Sequence, residues 1–209
     1  MVALKSDYKM TNFLNYYLPI FLLAYLLITF VIPSVRVYKQ TGINPITFGK
    51  SDNAHDYIGF IMKFLTGLLV VAVLLFSLNQ RVYNYLNPFE YLQNEWLVYT
   101  GLTIIHAALL WIVIAQHHMK QSWRIGIDNK NKTCLITTGL FSISRNPVFL
   151  GMILSTAGIF LILPNAITLF ITATSYIVIQ IQIRLEEEHL QNMHGSDYYD
   201  YKKKVRRLI

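Results

Sequence analysis

Five long, predominantly apolar blocks restrict this chain more than any other feature. They fall at about residues 14–34, 57–78, 96–115, 147–163 and 166–183. A helix of about 20 apolar residues spans the roughly 30 Å hydrocarbon core of a bilayer. In that core a single segment satisfies its own backbone polar groups only as a helix. The expected fold is therefore all-α: one integral membrane domain over residues 1–209, with about five transmembrane helices. The fourth block is short, and Pro164-Asn165 turns the chain straight back, so blocks four and five read as a helical hairpin. The first block is too long for a signal-peptide core and lacks a small-residue cleavage site, so no secretory leader is expected.

Composition supports the membrane reading, because charged residues make up 14% of the chain against about 25% in soluble domains. A lone cysteine, Cys134, rules out an internal disulfide framework and a zinc–cysteine cluster. The formal charge of +7 sits in loops and at the C-terminus, which points to topology and anionic headgroups rather than nucleic acid. Five spans put the termini on opposite faces. With the C-terminal tail in the cytoplasm, 15 of the basic residues lie inside and only Lys5, Lys9 and Arg81 outside. That asymmetry is a positive-inside pattern.

The segment Gly139-Leu140-Phe141-Ser142-Ile143-Ser144-Arg145-Asn146-Pro147-Val148-Phe149-Leu150-Gly151 runs from a polar turn straight into hydrocarbon. Asn146 is a favoured N-cap, and Pro147 suits the first helical position. A helix start beside Arg145 offers unpaired N–H groups and a cation to an anionic ligand. An ordinary turn with a snorkelling arginine at the membrane surface explains the same residues. After the apolar hairpin come Arg184-Leu185-Glu186-Glu187-Glu188-His189-Leu190, then Gly195-Ser196-Asp197-Tyr198-Tyr199-Asp200-Tyr201 and Val205-Arg206-Arg207.

An R-[HN]-P-x-[YF]-x-G element, an apolar hairpin, E-E-x-x-L, G-x-x-Y-x-x-Y and a closing V-x-R together resemble the isoprenylcysteine carboxyl methyltransferase family. The related phospholipid methyltransferases share much of the pattern. The resemblance covers roughly residues 120–209. It implies an S-adenosylmethionine-dependent methyltransferase acting on a lipidic or prenylated acceptor, with the active site facing the cytoplasm. It also implies a cofactor site drawn from Thr133, Cys134, Leu135, Ile136, Gly139, Phe141, Asn146, Pro147, Val148, Phe149, Glu186 and Glu187. Catalytic roles then fall to Arg145, Arg184 and Glu186. Such transfer needs no metal and rests on positioning and the surrounding field.

Asn146 stands where the eukaryotic enzymes usually carry histidine, and Phe141 and Phe149 replace tyrosines. Gln182 occupies the place of a substrate-contacting arginine found in some members, with Arg184 two residues later. Other chemistry-bearing residues have plainer readings. Glu186–Glu188 also reads as a solvated helix end. His117 and His118 read as interfacial residues rather than metal ligands. His106 either hydrogen-bonds a neighbouring helix or acts as a functional intramembrane group. Gly151, Ser155 and Gly158 form a helix face explained by close packing, although such a face also admits a flat cofactor, and Tyr198, Tyr199 and Tyr201 read as a membrane-surface anchor. Nothing near Cys134 activates it as a nucleophile. Two further functions stay open: N-methylation of a phospholipid amine, and a non-catalytic binding or assembly role on the same scaffold.

Overall fold

The computed structural model describes residues 2–49, 53–128, 131 and 133–209, with side chains from Met10 onward. Lys50, Lys130 and Lys132, counted above among the basic residues, lie outside the described residues, as do the side chains of Lys5 and Lys9. Helix α1 (Val2–Leu26) passes through a π-helical turn (Leu27–Val31) into α2 (Ile32–Thr41). Then come α3 (Ala54–Leu78), the short α4 (Gln80–Tyr83), α5 (Glu95–Met119), α6 (Pro147–Ile162), α7 (Ala166–His194) and α8 (Ser196–Lys204). Among the described residues there is no β-sheet, only isolated bridges. Four helical stretches are long and apolar enough to cross a membrane, and α6 is a shorter apolar helix.

Two boundaries differ from the sequence reading. The first span runs on as helix to Thr41 instead of ending near residue 34, and stops at Gly42 with φ 70°. A left-handed residue there is a usual helix terminator, and glycine adopts it without strain. The last span also continues, carrying the three glutamates on helix as far as His194.

Short α6 is explained by how its far end is covered. A 16-residue helix is about 24 Å long, less than the bilayer core. Its turn need not reach water, because Leu163 and Asn165 are buried under the loop that follows α3. Phe89 N–H donates to Pro164 O at 2.8 Å, and Asn165 Nδ2 donates to Tyr83 Oη at 3.1 Å. Asn165 and Thr168 form a capping box at the start of α7. The turn's polar groups are thus satisfied inside protein, as membrane depth requires.

Helices α5 and α6 approach through glycines. A Cβ on Gly101 would lie 2.6 Å from Gly158 O, and one on Gly158 would lie 2.6 Å from Ile105 Cγ2. On the small-residue face of α6, Gly158 and Gly151 are packed against α5, where a Cβ on Gly151 would lie 2.4 Å from Ile112 Cγ1, whereas Ser155 borders the cavity between the helices. His106 likewise bonds a neighbouring helix: Tyr17 Oη lies 2.5 Å from its Nε2. Its Nδ1 is 2.6 Å from Leu102 O, so the ring donates there and accepts from the tyrosine.

Candidate functional site

Three cavities that share wall residues follow one another from between the helices to the ends of α5 and α7 and the start of α6. The first, about 740 Å³, is apolar and lies between α1, α3, α5, α6 and α7, with Phe21, Leu65, Ile105 and Ile179 on its walls. The second, about 750 Å³, shares Phe30, Met62 and Met152 with the first. The third, about 800 Å³, is more polar and shares Met119, Arg124, Gly126, Phe141, Arg145, Asn146 and Glu186 with the second. The series thus grades from an apolar cavity between the helices to a more polar one at their ends.

Local chemistry builds the middle cavity. In a π turn the hydrogen bonds shift register, a distortion often found at functional sites. Here Gln116 Nε2 of α5 donates to Thr29 O at 2.7 Å, and both residues line the cavity. Gln182 of α7 is 1% exposed. Its Nε2 donates to Glu186 Oε1 at 2.9 Å, while its Oε1 is buried without a hydrogen-bond partner. A buried orphan acceptor costs about 1–3 kcal/mol; this one, on a cavity wall, suits a ligand that donates.

The structure gathers most of the expected site residues here. Thr133, Cys134, Leu135 and Ile136 line the polar cavity, Pro147, Val148 and Phe149 the middle one, and Phe141, Arg145, Asn146 and Glu186 both. Gly139 is outside the cavities. It holds a φ of +64° against the ring of His118, whose Nδ1 accepts from Leu140 N–H at 3.3 Å. Arg184 is also outside: it lies exposed on the opposite face of α7, donating to Gln180 O at 2.5 Å, and borders a separate shallow groove with Glu188 and Gln191.

The two neighbouring glutamates separate. Glu187 turns from the cavities into a clamp in which Arg145 Nη2 donates to its Oε1 at 2.7 Å and Arg207 Nη2 to its Oε2 at 2.9 Å. Arg145 Nη1 also donates to Val205 O at 2.5 Å and Lys202 O at 3.1 Å. The Arg145 cation is thus spent on joining the start of α6, the α7 helix and the tail. Asn146 stands at the N-cap position without a side-chain cap. Its Nδ2 donates to Arg207 O at 3.1 Å, which ties the side chain to the returning tail.

Residues that the sequence reading left out of the site complete the polar cavity. Arg124, Asp128, His189 and Tyr201 all line it. Arg124 Nε donates to Asp128 Oδ2 at 3.1 Å, so this cation too is paired. Tyr198 and Tyr201 point inward, unlike a surface anchor, and only Tyr199 is exposed. Tyr201 Oη donates to Phe141 O at 2.6 Å, and burial pushes its pKa up to about 12, which keeps the donor protonated. The i, i+3 spacing of Tyr198 and Tyr201 on α8 was the one signal available for this.

Residues 97–197 match the phospholipid methyltransferase family. Among solved structures the chain is similar to a eukaryotic intramembrane Ras methyltransferase, an isoprenylcysteine carboxyl methyltransferase. The match has 17% identity and a TM-score of 0.55, covering 91% of this chain and 72% of that one. At that identity the likeness speaks for the fold. No curated protein sequence matches. Family match and fold together support an integral membrane methyltransferase.

Proposed function

Taking the phospholipid methyltransferase region as premise, we propose that the chain transfers a methyl group from S-adenosylmethionine to the head of an amphiphile whose tail stays in the membrane. One observation carries this reading: the middle cavity shares walls with a polar cavity on one side and an apolar, intramembrane one on the other. Such a passage lets a water-soluble donor and a lipid-soluble acceptor meet without either leaving its solvent. The tail's hydrophobic stabilisation, about 0.8 kcal/mol per CH₂, is then retained and recognition falls to the head.

The polar cavity suits the cofactor chemically. Glu186 supplies a carboxylate for an ammonium or a ribose diol, and Thr133–Ile136 supply backbone groups. Bound there, S-adenosylmethionine supplies an activated methyl on a sulfonium. The protein's part is to hold the acceptor head in line with that methyl and to exclude water. Connector residues Arg124, Gly126 and Ile127 roof the site, while Phe141 and Met119 wall the junction.

Two head chemistries compete. The resemblance to isoprenylcysteine carboxyl methyltransferases suggests a carboxylate. The unpartnered Oε1 of Gln182, beside Glu186 and with Arg124 and Arg145 both committed to carboxylates, favours an amine that donates a hydrogen bond. Radiolabelled methyl transfer into membrane lipid extracts distinguishes them, since a methyl ester is lost in mild base and an N-methyl is kept. Purified protein that neither binds S-adenosylmethionine nor labels any lipid would leave the non-catalytic reading.

A further inference from the structure

Two adjacent residues at the start of α3 fasten the roof of the site. Asp56 Oδ1 accepts from Gly49 N–H at 2.8 Å, which holds the loop after α2. His55 Nε2 accepts from Ile127 N–H at 2.8 Å, which holds the connector after α5. The two held segments are themselves paired. Ile125 N–H donates to Pro45 O at 2.8 Å, and Thr47 N–H to Ile125 O at 3.0 Å. Ile125 and Gly126 line the middle cavity, and Gly126, Ile127 and Asp128 the polar one.

The connector is shaped to fit the imidazole. Gly126 has a φ of +90°, and a Cβ there would lie 2.7 Å from both His55 Nε2 and Thr47 Oγ1. Phe48 stacks on the His55 ring at 4.5 Å between centroids. Because Nε2 accepts, it carries no proton, and Nδ1, 3.4 Å from Asp56 Oδ1, carries the ring's single hydrogen. We propose that neutral His55 is the positioning residue that closes the connector over the cofactor site, and that its protonation releases the connector. An imidazolium would present N–H to N–H at Ile127, and the bond would be lost.

The hydrogen bond sets the direction, since only a neutral ring accepts from Ile127 N–H. Asp56 on its own helix faces the other ring nitrogen. His189 of α7 lines the polar cavity with Asp128. Asp128 is paired with Arg124, and Lys63 Nζ sits 5.9 Å from the centre of the Phe48 ring. The closed roof therefore belongs to the high-pH side of the imidazole titration, which ordinarily falls near pH 6–7.

The assignment of the polar cavity to S-adenosylmethionine rests on the proposed function, whereas the pin between His55 and Ile127 does not, so the test reads both. Hydrogen exchange of peptides covering 124–128 in the full-length protein, corrected for intrinsic rates, reports roof opening without any ligand. Protection should fall roughly five- to a hundredfold between about pH 8 and pH 5.5 in the wild type. In His55→Ala it should be low throughout. In His55→Gln, whose amide oxygen accepts without titrating, protection should hold at both pH values. S-adenosylmethionine affinity should follow the same pattern. Protection that is unchanged in His55→Ala, or that falls identically with pH in the wild type and His55→Gln, overturns the pin. Protection that follows His55 while no variant binds S-adenosylmethionine at any pH upholds the pin and refutes the methyltransferase reading.

Discussion

Glu186 and Glu187 are neighbours in sequence and opposites in role, which gives the sharpest test of the site. Glu187→Gln keeps the size of the side chain and removes its charge. The Glu187 and Arg145 side chains are 5% and 7% exposed, whereas Arg207 is 35% exposed and can turn to water. Removing one partner of a buried ion pair costs about 3–5 kcal/mol. With one of the two cations able to relax, the lower end applies, about 3 kcal/mol, or roughly 6–12 °C in Tm for a chain of this size. Glu186→Gln removes no ion pair: the partner of its Oε1 is Gln182 Nε2, which an amide oxygen also accepts. Its Tm should move by no more than about 2 °C. Its affinity for S-adenosylmethionine should instead fall about ten- to hundredfold, from loss of a charge-assisted bond of roughly 1.5–3 kcal/mol. Thermal melts by intrinsic fluorescence and calorimetric titration, in one detergent, measure both. A Glu187→Gln protein that melts with the wild type, beside a Glu186→Gln protein that binds normally, would refute the division of labour.

Arg184→Ala, on the far face of α7, should leave cofactor affinity within about twofold by calorimetry; a tenfold loss would bring this arginine into the site. Gly101→Ala forces a methyl onto the Gly158 carbonyl and should cost about 1–3 kcal/mol through overpacking, read as a lower Tm. Reporter fusions should place a domain joined after Ile209 in the cytoplasm and one at the N-terminus outside, as the distribution of basic residues expects. A C-terminus on the other face would overturn the placement of the site as well. Shortening the tail of an accepted lipid should raise its apparent KM steeply in bilayers, and correction for membrane-bound concentration should remove most of that effect.

Several features were legible from the residues alone because they depend on neighbours along the chain. Apolar length dictated helices, Pro164-Asn165 the hairpin turn, and Pro147 the start of α6. Resemblance in the order of short motifs pointed to Thr133–Ile136, Phe141, Arg145–Phe149 and Glu186, which line the cavities. Which glutamate faces them was not legible. Consecutive helical residues differ by about 100° around the axis, and only contacts with Arg145 and Arg207 decide that Glu187 turns to the clamp and Glu186 to the site. The same holds for Asn146, whose amide bonds a tail some sixty residues away, and for the roof, where residues 45–49 and 123–128 meet at His55. Periodicity and local propensity carry no information about such distant pairings; they are set when helices pack and the tail folds back across their ends.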